Sequence, residues 1–138
     1  MNKTTKNERA PSKVLIVEDE GDMCLLLNII LTGKGMELDH VKGLAAAQDY
    51  LREGKPDVIL LDNKLQDGFG IDFIPYIKQN SPAAKVIMIS GYDASARDVA
   101  LENGADLFLE KPFTRDQLFK AIVTLLNESK QEDPQPAL

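Results

Sequence analysis

Asp57-Val-Ile-Leu-Leu-Asp62-Asn-Lys-Leu-Gln-Asp-Gly-Phe-Gly70 joins an unbroken apolar run to a carboxylate and then to a glycine-bearing loop. Val58 to Leu61 suit a central strand covered on both faces, as in a parallel sheet, better than a half-wet antiparallel strand. Asp62 then stands at the carboxyl end of that strand, where open α/β sheets place their ligand chemistry.

The pattern repeats on either side. Val14 to Val17 form a second buried run, followed by Glu18, Asp19 and Glu20. Lys85 to Ser90 form a third, ending in a hydroxyl and Gly91, and Asp106 to Glu110 a fourth, followed by Lys111-Pro112-Phe113. Met36 to Val41 alternate instead, as an edge strand with one wet face does.

Helical periodicity fills the gaps. From Gly21 to Gly33 the stripe is Met23, Leu26, Leu27, Ile30 and Leu31, with Leu25 and Ile29 left on the outer face. Leu44 to Glu53 read as a short helix stopped by Gly54 and Pro56, and Ile71 to Gln79 as another, with Pro75 tolerable only in a first turn. Asp93 is a cap for a helix closed by Asn103-Gly104, and Thr114 caps a last helix with Leu118, Ala121, Ile122 and Leu125 inward.

Five strand–helix alternations with short connections predict an α/β fold of the doubly wound, flavodoxin-like (βα)5 type. It is a three-layer sandwich whose five-stranded parallel sheet runs in the order 2-1-3-4-5. Residues 1–12 are expected to be a flexible lead-in, 13–127 a single domain and 128–138 a flexible tail.

Composition narrows the function. A net charge of -6 over 138 residues disfavours direct nucleic-acid binding, which needs clustered Lys and Arg. There is no apolar run of ~18 residues to span a membrane and no apolar segment after the first charges to act as a secretory signal. A cytoplasmic protein is therefore expected. The single cysteine, Cys24, excludes an internal disulfide and a multi-cysteine metal site, and its helical, apolar setting predicts a buried, inert thiol. His40, the only histidine, has no second soft ligand beside it and reads as a surface or packing residue.

The strand ends bring Glu18, Asp19, Asp62, Ser90 and Lys111 to one rim. Two carboxylates ~4 Å apart repel by about 4 kcal/mol at an effective dielectric near 20, which a hard divalent cation relieves. Mg²⁺ suits such a site because it takes oxygen ligands and keeps waters. A cation beside Asp62 also lets that carboxylate approach an anionic phosphoryl group, and Asp is capable of accepting one covalently. Lys111 supplies further positive charge, and Ser90 a hydrogen bond to a phosphoryl oxygen.

This constellation resembles the receiver domain of two-component response regulators, of the chemotaxis single-domain type. The likeness spans Lys13 to Asn127. It rests on the acidic pair after the first strand, Leu-Leu-Asp62, Ser90-Gly91, Gly104-Ala105-Asp106 and Lys111-Pro112-Phe113. It implies that Asp62 is the phosphoacceptor, taking its group from a phosphohistidine on a sensor histidine kinase or phosphotransfer protein. It implies that Asp19 and Asp62 bind Mg²⁺ directly, with the Lys64 backbone carbonyl, and Glu18 through water. Ser90 becomes the switch hydroxyl, Lys111 the phosphate counter-ion and Phe108 the aromatic that repacks on activation. Gly70 matches the family glycine eight residues past the acceptor, and the Lys111–Pro112 peptide is implied to be cis. Such a protein catalyses only its own phosphorylation and dephosphorylation, acts on a downstream protein target, needs no membrane, and is a monomer or a weak homodimer.

Two positions depart from the family pattern. Gln66 replaces a common proline, which predicts a looser loop, although Asp67-Gly68 still reads as a turn. Lys64 places a long cation by the site, and with Tyr92 it is expected to alter the phosphoryl lifetime. Three other classes compete. A pseudo-receiver would serve only as an interaction module. A Mg²⁺-dependent aspartyl phosphohydrolase wants a second Asp where Lys64 stands. A flavodoxin-like cofactor binder wants a Ser/Thr/Gly-rich loop where the acidic run stands.

Overall fold

The computed structural model describes residues 11–91 and 94–131. Seven strands and five helices follow in order: β1 (Ser12–Val17), α1 (Gly21–Leu31), β2 (Met36–Val41), α2 (Leu44–Leu51), β3 (Val58–Asp62), β4 (Lys64–Leu65), β5 (Gly68–Phe69), α3 (Gly70–Asn80), β6 (Lys85–Ser90), α4 (Ala94–Glu102), β7 (Leu107–Glu110) and α5 (Arg115–Gln131). Five of the strands make one parallel sheet in the order β2-β1-β3-β6-β7, the 2-1-3-4-5 topology of a flavodoxin-like fold. The alternating β2 is indeed an edge strand.

The continuous apolar runs are continuous because both faces of the sheet are covered. Leu15, Val17, Ile59, Leu61, Val86 and Met88 point to one layer and meet Ala47, Phe73, Ile74 and Ala100 of α2, α3 and α4. Their neighbours Val14, Ile16, Val58, Leu60, Ile87 and Ile89 point to the other and meet α1 and α5 through Leu27, Ile30, Leu118, Ile122 and Leu125. The period-2 alternation of strand side chains divides each run cleanly between the two layers. Burying a Leu or Ile in this way contributes about 1.5–3 kcal/mol.

Several local expectations change. Leu26 belongs to the exposed side of α1, 45% accessible beside Leu25 and Ile29 at 61% each. The buried stripe is Cys24, Leu27, Ile30 and Leu31, and at 3.6 residues per turn Leu26 falls more than a quarter-turn from its middle. Cys24 is a buried free thiol, as expected. Pro75 sits inside α3 and not in its first turn. Its missing N–H leaves the Ile71 carbonyl without its helical donor, and the Asn103 side-chain amide donates to that carbonyl at 3.2 Å. The last helix extends to Gln131, four residues past the boundary placed at 127, and β1 begins at Ser12.

Caps behave locally as the sequence suggests at one end of the chain. Thr114 Oγ1 accepts from Gln117 N at 3.0 Å while Gln117 Oε1 accepts from Thr114 N at 2.8 Å, a reciprocal capping box. Asp93 and Tyr92 lie outside the described residues. The Lys111–Pro112 peptide is cis.

Candidate functional site

The carboxyl ends of β1, β3, β6 and β7 open into one cleft of about 810 Å³. Asp62, the last residue of β3, is 6% exposed, and Glu18, directly after β1, is 2% exposed. Asp19 is half-buried beside them. These three carboxylates each offer an oxygen, and the three atoms lie within 4.8 Å of one another.

Lys111 follows β7 and reaches across the sheet. Its ammonium lies 3.0 Å from Asp62 Oδ1 and 4.0 Å from Glu18 Oε1. Its backbone N–H donates to the Ser90 carbonyl at 2.7 Å, joining the ends of β6 and β7. Ser90 is half-buried and lines the cleft, as does Lys64. The Lys64 side chain is exposed, and among the described residues the cation paired with the acidic trio is Lys111. Phe108 does not line the cleft. It is half-buried in β7, in register with Met88, and packs against the layer beneath α2, α3 and α4.

Glu18 is held by its backbone on two sides. Its N–H donates to Val41 O at 3.1 Å, and its carbonyl contacts the His40 ring Nε2 at 2.7 Å. The lone histidine therefore fixes the turn that presents Glu18, a packing role. Glu18 Oε2 accepts from Glu20 N at 3.1 Å.

One ammonium cannot neutralise three carboxylates. Burial, and then the charge of Asp62, push the Glu18 carboxyl up to about 7. Burial also raises Asp62, against the hydrogen bond and charge of Lys111 that stabilise its ionised form. The donor set is all oxygen, carries excess negative charge and is partly desolvated, which fits a hard divalent cation such as Mg²⁺.

The response regulator receiver domain family matches residues 14–123. The chain belongs to that family. It is 35% identical over 126 residues to the KDP operon transcriptional regulatory protein KdpE of Escherichia coli (strain K12), covering 91% of this chain and 56% of that one. It spans about half the length, or less, of the curated relatives it matches. Among solved structures it resembles the signal receiver domain of a putative LuxO repressor protein from Vibrio parahaemolyticus. The TM-score there is 0.84 at 30% identity, covering 89% of this chain and 95% of that one. A CheY-like receiver domain protein from Methanospirillum hungatei also superposes at TM-score 0.84, with 25% identity and coverage of 88% and 98%. The acidic pocket of Glu18, Asp19 and Asp62 with Lys111 is thus a receiver pocket, of the kind receivers use for Mg²⁺.

Two side chains in the receiver's loop after β3 escaped the sequence reading. Asn63 accepts from Gly70 N through its backbone carbonyl at 2.7 Å and from Ile71 N through Oδ1 at 3.0 Å. Asp67, read only as a turn residue, accepts from Leu44 N at 2.9 Å and Ala45 N at 3.0 Å, capping α2. Those two N–H groups hold its carboxyl below the usual carboxylate range. Between these anchors β4 and β5 pair as a hairpin, Lys64 with Phe69 and Leu65 with Gly68. The loop expected to be loose because of Gln66 is instead tied at both its root and its tip. Gly43 at the N-cap of α2, with no side chain to accept from Leu44 N or Ala45 N, was the signal available, but an acceptor 22 and 23 residues away in sequence has no local pattern.

Proposed function

We propose that this receiver is a phosphorylation switch in which Asp62 takes a phosphoryl group from the phosphohistidine of a sensor histidine kinase or phosphotransfer protein. Receiver domains interact with histidine kinases; which kinase serves this one is set by surfaces outside the pocket. The observation that carries the reading is the Lys111 ammonium 3.0 Å from Asp62 Oδ1, in a cleft where Asp62 shares its space with Glu18 and Asp19.

In the transfer, an Asp62 carboxylate oxygen attacks phosphorus in line as the bond from phosphorus to the donor's imidazole nitrogen breaks. The electron pair of that bond leaves with the ring, which takes up a proton, and an acyl phosphate remains on Asp62. Lys111 stabilises the charge on one phosphoryl oxygen and Ser90 donates a hydrogen bond to another. Asp19, Asp62 and the Lys64 carbonyl would hold Mg²⁺, with Glu18 acting through water. The ion supplies positive charge to the transferring oxygens. Hydrolysis by water returns Asp62 to the free carboxylate, so the protein turns over only its own modification. Lys64 and Tyr92 set the lifetime of the acyl phosphate by controlling the approach of that water.

The phosphoryl group adds about -1.5 to -2 charge and three strong acceptors. Drawing Ser90 and Lys111 toward it pulls on the ends of β6 and β7, and Phe108 repacks. The surface of α4, β7 and α5 then changes for a downstream protein. The receiver unit runs from β1 at Ser12 through the end of α5 at Gln131, in a cytoplasmic setting where the kinase's phosphohistidine is available. No helix among the described residues is long and apolar enough to cross a membrane.

Acetyl phosphate with Mg²⁺ tests the assignment. A mass gain of one phosphoryl group is expected in the wild type and none in Asp62→Asn. An unmodified wild type would instead support a pseudo-receiver that works only by binding.

A further inference from the structure

Helix α3 begins without a cap of its own. Its N-cap residue is Phe69, with extended backbone and no side chain able to accept a hydrogen bond. An uncapped first turn leaves backbone N–H groups without partners. Asn63, six residues upstream and adjacent to Asp62, supplies the side-chain acceptor that Phe69 lacks: its Oδ1 accepts from Ile71 N at 3.0 Å, while its backbone carbonyl accepts from Gly70 N at 2.7 Å. Its own N–H donates to Ile89 O on β6 at 3.1 Å. One residue therefore joins the end of β3, the end of β6 and the start of α3.

The return of the chain onto Asp62 is close. A Cβ on Gly70 would lie 2.3 Å from the Asp62 backbone oxygen. The segment between Asn63 and Gly70 is thus a loop sewn shut at its root, carrying the Lys64 carbonyl on its first strand. The pocket needs Asp62 and that carbonyl held in fixed relation, because charge-stabilising geometry fails when a reacting oxygen is displaced by even about 1 Å.

We propose that Asn63 is a positioning residue for phosphoryl transfer. It orients Asp62 and the Lys64 carbonyl by replacing the absent cap of α3; the residue borders the cleft, and its side-chain Oδ1 is engaged by Ile71 N. The proposal rests on the assignment of Asp62 as phosphoacceptor.

The alternative is a residue that only stabilises α3, and a second substitution separates the two. Asn63→Ala removes the side-chain acceptor. Phe69→Asn in the same chain restores a neutral acceptor at the N-cap position, where the backbone is already extended and the side chain 53% exposed. Thermal unfolding, the rate of phosphorylation by acetyl phosphate and the calorimetric affinity for Mg²⁺ are measured in the wild type, Asn63→Ala and the double variant. Asn63→Ala is expected to lower the midpoint of unfolding, slow phosphorylation roughly 10- to 100-fold and weaken Mg²⁺ binding roughly tenfold. In the double variant the midpoint recovers while the rate and Mg²⁺ affinity remain low. Recovery of all three together would overturn the positioning role, since capping alone would then explain Asn63. So would a wild-type rate and affinity in Asn63→Ala. A wild type that acquires no phosphoryl group would remove the phosphoacceptor reading, and the role of Asn63 with it, a result distinct from either of those.

Discussion

Glu18 carries the electrostatic conflict of the pocket in its own protonation. Its carboxyl is pushed up to about 7, by burial first and by the charge of Asp62 second. The sign of the pH effect follows. Between the ordinary carboxylate value and about 7 the folded protein keeps a proton that the unfolded chain releases, so stability falls as pH rises through that window and levels off above it. A shift of this size corresponds to on the order of 3 kcal/mol. Denaturant titrations from pH 4.5 to 8 are expected to show this loss without Mg²⁺ and to show it much reduced in Glu18→Gln, which has no charge to desolvate. Mg²⁺ is expected to raise the unfolding midpoint more at pH 8 than at pH 5.5, because the protonated pocket competes with the ion. A wild-type profile identical to that of Glu18→Gln would show that Glu18 ionises normally.

At the scale of elements, what could be read in advance depended on whether the signal was periodic. Val14–Val17, Val58–Leu61 and Lys85–Ser90 declared themselves as buried strands because side-chain alternation needs two covered faces, and both faces were visible as uninterrupted apolar residues. Their ends then located Glu18, Asp62 and Ser90 without further information, as the end of Leu107–Glu110 located Lys111. Features that depend on a partner remote in sequence were not legible. Pro75 fits inside α3 because Asn103, on the far side of β6, donates to the carbonyl it strands. Leu26 shares the apolar residue types of its neighbours, and only the docking angle of α1 decides that it faces outward. The loop after β3 is the clearest case: Gln66 suggested slack, while Asn63 and Asp67 tie the loop to two different helices. Gly70 is the tightest point of that loop. Gly70→Ala sets a methyl against the Asp62 backbone oxygen, which cannot rotate away, so the loop must shift as a unit. A stability loss of about 1–3 kcal/mol is expected, measured by denaturant unfolding, together with a phosphorylation rate at least tenfold below wild type. A fully active Gly70→Ala would mean that Asp62 tolerates displacement.

Across the whole molecule, the five-stranded sheet carries the pocket residues at the carboxyl ends of its strands, between two helical layers. The two core layers are packed against opposite faces of the same strands, so in the proposed switch a pull on the ends of β6 and β7 would reach α4 and α5 through different sets of contacts. Moving such a switch from 1:99 to 99:1 takes about 5.5 kcal/mol of differential stabilisation. Charge-assisted bonds to a phosphoryl group, at about 1.5–3 kcal/mol each, are of the size required when Ser90 and Lys111 both engage. All of this depends on where the phosphoryl group resides. The most direct measurement is to phosphorylate the wild type with acetyl phosphate and Mg²⁺, reduce the product with borohydride, and sequence the peptides by mass spectrometry. Reduction converts an aspartyl phosphate to homoserine. The expected result is homoserine at position 62 alone, absent when Mg²⁺ is chelated. Homoserine at another aspartate, or none in a sample that has gained phosphate, would contradict Asp62 as the acceptor.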